Sequence, residues 1–378
     1  MLLYRQVKYL KMSYTMLRMN CLHNSFIWCG CLILVICSVR CHDEDAVSRI
    51  SIDETTKTNA VHITPERVID GDVFPFARKY YVYKDSILII QNRSENAVGN
   101  QSIPYFEFRR LSDMSLIKQS INRGNGPNEI LNILCEFQDS RLYVVDFVKN
   151  RFGDLSVDYL LENEKPVLDL KERTFRFGNF KRFKNDYYLF DNINCFADKG
   201  LKIKQKASRF IIGDGSVGDT KEYKYKTFNV NQGKILVNPE RERVLYFNPN
   251  QPEMELYDYD LILLRKIIAP DELFGRLNLT GNNNVVFYGA IPWYFCNYTY
   301  DEDHIFITYH GLLLLDDTSR IPALIFEFDW NGNFVAGYNP HEPVVTLTLS
   351  ENDNRVLYIT STDSLGQPVL DKLVLPSI

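Results

Sequence analysis

The chain has 378 residues, a formal net charge of −5, and 45% hydrophobic and 13% aromatic residues. Residues 1–40 hold five basic side chains and no acid, which leaves −10 on residues 41–378. An acidic body argues against nucleic acid as a partner, since phosphate backbones need a basic face, and against adhesion of the folded part to anionic lipid.

Arg5, Lys8, Lys11 and Arg18 precede an apolar run over 26–39. A membrane-spanning helix needs about 20 apolar residues, so this shorter run behind a basic stretch predicts a secretory signal over 1–40. Cys41 follows directly and is the predicted lipid anchor, with an uncleaved N-terminal anchor as the rival reading. Ser38-Val39-Arg40-Cys41 has the position of a lipobox but departs from it at Arg40, where a small residue is usual. His42-Asp43-Glu44-Asp45 resembles the acidic tag behind the lipidated cysteine of some surface-displayed bacterial lipoproteins. Residues 41–66 are polar and read as a tether.

From there to the C-terminus one strand-turn-strand unit recurs. Apolar runs start at Ile87, Leu142, Tyr187, Val244, Ile305 and Val356, each just after a polar turn. Strand repeats spaced at about 40 to 50 residues are the pattern of propeller blades. The expected fold is all-β: a six-bladed β-propeller of four-stranded antiparallel blades over 67–378. Alternation over Met254-Glu255-Leu256-Tyr257-Asp258 and Leu324-Ile325-Phe326-Glu327-Phe328 marks outer strands, and Asn331-Gly332 marks a tight hairpin. Such a ring closes when an N-terminal strand completes the last blade, here from within 60–73 against 371–375.

Five of the eight cysteines lie at or before Cys41. Cys135, Cys195 and Cys296 stand one to a repeat and read as buried apolar residues, with a disulfide or reactive thiol as the lesser alternative. The body holds no Cys-x-x-Cys pair, and the chain holds no His-Glu-x-x-His, Gly-x-Ser-x-Gly or Gly-x-x-x-x-Gly-Lys-Ser/Thr motif.

The junction Asn122-Arg123-Gly124-Asn125-Gly126-Pro127-Asn128-Glu129-Ile130, followed by Arg141-Leu142-Tyr143-Val144-Val145-Asp146 and Lys149-Asn150-Arg151-Phe152, resembles the NHL and TolB-like propellers. It is most similar to the TolB-like six-bladed propeller lipoproteins of Gram-negative bacteria. The resemblance covers about 75–378, and the Gly-Pro-Asn-Glu element is its specific part. It implies an outer-membrane lipoprotein at the cell surface or the periplasmic face.

Several residues are candidates for a site. Arg123, Asn128 and Glu129 would stand at a channel mouth where inter-blade loops gather; the plainer reading is a tight turn with Gly at positive φ. Asp146, with Asp191 and Asn248 at equivalent positions, either binds turn backbone or contributes to an axial ring of oxygen ligands for Ca²⁺. Trp293, in an aromatic cluster, is either packing or a sugar-stacking platform. No cofactor and no resident metal are expected. The predicted function is a non-enzymatic envelope module that binds a glycan, a peptide or a partner protein and reaches the membrane through its lipid. A Ca²⁺-dependent hydrolase of the lactonase type is the alternative, and a purely structural subunit of an envelope complex is a third reading.

Overall fold

The computed structural model describes residues 47–93, 103–173, 177–184, 187–191, 210–213, 233–271, 273, 277–279, 285–287, 291–314 and 321–377. The fold belongs to the unit Arg49–Ile378. Its strands form consecutive antiparallel meanders, here called sheets I to VI. Sheet I holds Ala77–Tyr83, Ile87–Asn92, Phe106–Arg110 and Leu116–Ser120. Sheet II holds Ile133–Gln138, Arg141–Asp146, Arg151–Ser156 and Lys171–Glu172, with a short helix Val157–Glu162 capped by Ser156. Sheet III holds Phe180–Phe183, Tyr187–Asp191 and Phe210–Gly213. Sheets IV, V and VI begin at Lys234–Asn238, Ile291–Tyr300 and Thr346–Leu349. A separate hairpin pairs Leu277–Leu279 with Val285–Phe287.

The second strand of each meander is the run seen in the sequence. It is apolar throughout because sheets pack on both of its faces: Leu88, Ile89, Ile90, Leu245, Phe306, Ile307, Leu357 and Ile359 are all essentially inaccessible. Each of six apolar clusters lies between two sheets that are neighbours in sequence, or between the last and the first. Cys135, Val144 and Tyr83 join I to II; Phe152, Phe177 and Phe190 join II to III; Phe183, Leu189 and Tyr246 join III to IV. Phe247, Phe295 and Phe328 join IV to V; Tyr338, Leu347 and Leu373 join V to VI; Tyr358, Leu370 and Tyr80 join VI back to I. The sheets therefore stand in a closed ring, and the architecture is a β-propeller.

Six blades of four strands were expected. Five sheets carry four or more strands, so five complete blades are present among the described residues. Sheet III carries three, and the chain on either side of Phe210–Gly213, at 192–209 and 214–232, is outside the described residues.

The expected tether needs a larger correction. Cys41 and residues 42–46 lie outside the described residues, as does the apolar run over 26–39. Beyond them the chain becomes part of the ring. Ser48–Ser51 is the outermost strand of sheet IV, and Val61–His62 adds to sheet V in parallel with Tyr338 and Asn339. Glu66–Ile69 pairs antiparallel with Pro368–Val374, placing Arg67 opposite Asp371 and Ile69 opposite Leu370. That last pairing is the anticipated closure. The other two were hidden because outer strands are short and exposed, so polar side chains suit them as well as they suit a linker. Among the described residues no helix is long and apolar enough to cross a membrane.

Candidate functional site in the axial channel

The first strand of every sheet is innermost, and these strands bring charged side chains to the axis. Lys79 and Tyr81 come from sheet I, Cys135, Glu136 and Phe137 from sheet II, Lys181 from sheet III, Lys234 from sheet IV, and Cys296, Asn297 and Tyr298 from sheet V. A narrow cavity of about 50 Å³ is lined by Lys79, Tyr81, Glu136, Lys234, Asn297 and Tyr298 among others.

Glu136 is the hub of this segment. Its carboxylate is ion-paired with Lys234, and its Oε2 lies 3.5 Å from Lys181 Nζ. The same oxygen accepts hydrogen bonds from Asn179 Nδ2 at 2.9 Å and from the Tyr298 hydroxyl at 3.1 Å. Lys181 is 1% exposed, and its ammonium sits 4.0 Å from the centre of the Tyr143 ring, a cation–π contact. Lys79 makes no hydrogen bond or ion pair among the described residues. Two ammonium groups thus face one carboxylate, and a third, that of Lys79, lines the same cavity. Burial pushes Lys181 down to about 7, against the pull of Asp139, and pushes Lys79 down to about 8 with help from the like charge of Arg78. The Cys135 thiol is pushed up to about 12 by burial, and Cys296 is raised well above its ordinary value by the same cause. Both are free, buried and unreactive, as expected, while Cys195 lies outside the described residues.

The first strands run from this segment toward a wider cavity of about 590 Å³, which shares Phe137 and Leu347 with the narrow one. Its rim comes from the turns that follow the first strands: Asp139 and Ser140, Thr299 to Asp301, and Ser350 to Asn354. Asp139, Asp301, Glu351 and Asp353 line it, and no basic residue does so among the described residues. From Glu136 to Asp139 is three residues of extended chain, about 10 Å. The channel is therefore cationic at its waist and acidic at this mouth. Asp139 and Ser140 have φ of 51° and 59° and make a two-residue turn without glycine. Asp139 is held above the usual carboxylate range by burial, and the Tyr300 hydroxyl lies 2.6 Å from its Oδ2. Left-handed backbone at a non-glycine carries strain that tends to collect at functional sites.

The residues singled out from sequence lie at the other end of these strands. Arg123, Asn128, Glu129 and Asp146 do come together, but as a structural knot. Glu129 folds back so that Oε2 accepts the Gly126 N–H at 2.7 Å. Lys149 Nζ donates to the Gly126 and Glu129 carbonyls, and Arg151 donates to those of Pro127 and Glu129. Asn128 Oδ1 accepts the Leu168 N–H, and Arg123 is bridged to Ile130 through backbone. Gly124 and Gly126 are not at positive φ, contrary to expectation. They are glycine because a Cβ at either would crowd the Glu129 carboxylate. Trp293 is half-buried, opposite Leu312, at the start of its strand and away from the acidic mouth.

Asp146 accepts backbone N–H groups from Leu131, Asn132, Val148 and Lys149, and Asp191 accepts those of Gly178, Asn179 and Gly233. Asn248 accepts the Asn250 N–H. These side chains clamp turns, and the axis where a Ca²⁺ ring would stand holds lysines. Among the described residues no group of three or more His, Cys, Asp or Glu side chains could hold a metal ion. The axial Ca²⁺ reading does not fit this donor set.

No family model matches the chain, and no curated protein matches it. Solved structures do. A protein of Bacteroides fragilis NCTC 9343, named for presumed export, superposes with a TM-score of 0.52 at 12% identity over 87% of this chain and 100% of its own. A member of the DUF4221 family from Bacteroides vulgatus superposes with a TM-score of 0.51 at 10% identity over 83% of this chain and 98% of its own. At these identities the likeness is one of fold: the chain is similar to them as a β-propeller over most of its length.

Proposed function

We propose that this protein is an extracytoplasmic binding module that takes its ligand at the acidic mouth of the axial channel. The observation that carries the reading is the cavity of about 590 Å³ at the end of the axis, rimmed by polar turn residues and backed by a charged waist. Concave sites with a few convergent polar groups are where ligands bind, and the axis of a propeller is the one place all blades reach. The signal-like run over 26–39, Cys41 and the fold shared with the Bacteroides proteins support an exported, lipid-anchored module of the cell envelope. The TolB-like motif and the packing of sheet III between II and IV support counting that sheet as a sixth blade. A glycan, a peptide or a partner protein loop would all fit the mouth. The lactonase-type alternative gains nothing from a waist that repels cations.

The test uses glycan and peptide panels scored by thermal shift and calorimetry on the purified protein. Thr299→Arg, which fills the mouth, is expected to weaken binding of any hit at least about tenfold. Trp293→Ala, at the far end of the same strand, is expected to leave it unchanged. The reverse pattern would move the site to the inter-blade loops.

A further inference from the structure

We propose that the waist of the channel is a binding site for a small oxyanion, the carboxylate or phosphate type, held by Lys79, Lys181 and Lys234 around Glu136. The inference deepens the mouth-binding reading in that it uses the same channel, but it rests on different residues. Lys181 and Lys234 face the Glu136 carboxylate, and Lys79 lines the same cavity as Glu136 and Lys234, so three basic side chains from three sheets stand around one acidic one. Buried charge is costly unless it is paired and hydrogen-bonded. Lys181 Nζ is buried and has no hydrogen-bond partner among the described residues, although it lies beside the Glu136 and Tyr298 side chains that line the cavity. Lys79 lines the same cavity without an ion pair among the described residues, and Asn297 and Tyr81 add polar atoms.

The space of about 50 Å³ exceeds the roughly 10–15 Å³ that one water needs on the same measure, so the cavity has room for a small polyatomic anion. Below about pH 7, where all three lysines carry their protons, a cation is opposed by the surplus positive charge. The charged groups facing the site are Lys79, Lys181, Lys234 and Glu136, with Asp139 one turn further along the axis. Cys135, Cys296, Tyr81, Tyr143 and Tyr298 stay neutral in this range because burial raises each. Protonated lysines bind the anion, so affinity falls as pH rises.

The experiment is calorimetric titration of the purified protein with inorganic phosphate and, separately, with acetate, at pH 6.5 and pH 9. The expected result is saturable one-to-one binding of at least one of them at pH 6.5, weaker by about tenfold or more at pH 9. Lys79→Met is expected to weaken it by about tenfold, and Glu136→Gln to strengthen it, because the internal competitor for the ammonium groups is gone. A gain in affinity cannot come from a damaged fold, so the second variant keeps the test decisive. Phosphate binding without acetate binding, or the converse, assigns the anion class. No saturable binding of either anion, or a Lys79→Met variant that binds as well as the parent, overturns the proposal. Thr299→Arg reports on the mouth alone, so a mouth ligand that binds this variant as well as the parent, with anion binding intact, overturns only the reading above.

Discussion

Lys181 shows how a single side chain can set the behaviour of the channel. Its folded-state pKa of about 7 lies below the usual 10.5 of a free lysine because burial disfavours the charged form. Below pH 7 it is protonated in both the folded and the unfolded chain, and the folded state bears the full cost of the buried charge. Between pH 7 and 10.5 the unfolded chain binds a proton that the folded chain has released, so stability rises with pH. Lys79 adds to the same slope from about pH 8. The window ends near pH 10, where unfolded tyrosines ionise while Tyr298 and Tyr300, raised by burial, cannot follow. Denaturation in urea should therefore show the protein gaining stability from pH 7 to pH 9. Lys181→Met should reduce that rise to the part contributed by Lys79 and Lys234 and should stabilise the protein at pH 7, since it removes a buried charge while Lys234 still pairs with Glu136. A flat profile for the parent protein would show that Lys181 keeps its ordinary pKa. None of this was legible beforehand. A lysine in Phe180-Lys181-Arg182-Phe183 looks like any solvated strand position, and the recurrence of a lysine in three first strands was the only available sign.

Among the elements, legibility follows burial. The second strands announced themselves because they are covered on both faces and so read as unbroken apolar runs, as in Ile87-Leu88-Ile89-Ile90 and Val356-Leu357-Tyr358-Ile359. The Asn331-Gly332 turn was equally plain, with Gly332 at φ 78°. The outer strands at 48–51 and 61–62 carry no such mark, since an edge strand buries little. The knot at Gly124 to Glu129 was recognised as a motif, but its purpose as an internal brace became clear only with Lys149 and Arg151 in place. The N-terminal strands also have an energetic role. Each covers the outer edge of a sheet, and Arg67 donates from Nε to Asp371 at 2.5 Å, where Asp371 is 1% exposed. Removing residues 47–69 should lower the melting temperature markedly and promote association through the uncovered edges of sheets IV, V and VI. A truncated protein that melts with the parent and stays monomeric would restore the view of this stretch as a tether.

For the whole molecule, the ring turns six modest interfaces into one channel, and the channel is where charge is least expected and most concentrated. The strand repeat was enough to anticipate a propeller, because each blade repeats the same burial pattern. It could not disclose the axis, which is built from one or two residues per blade whose meaning depends on the other blades. The fold shared with the two Bacteroides proteins extends over the ring but does not say what the ring holds. The most direct test is a crystal structure of the protein grown with selenate at pH 6.5, read from the selenium anomalous signal. A peak among Lys79, Lys181 and Lys234 is the result predicted here. Selenate found only on the outer surface, with the waist closed on Glu136, would contradict the axial site.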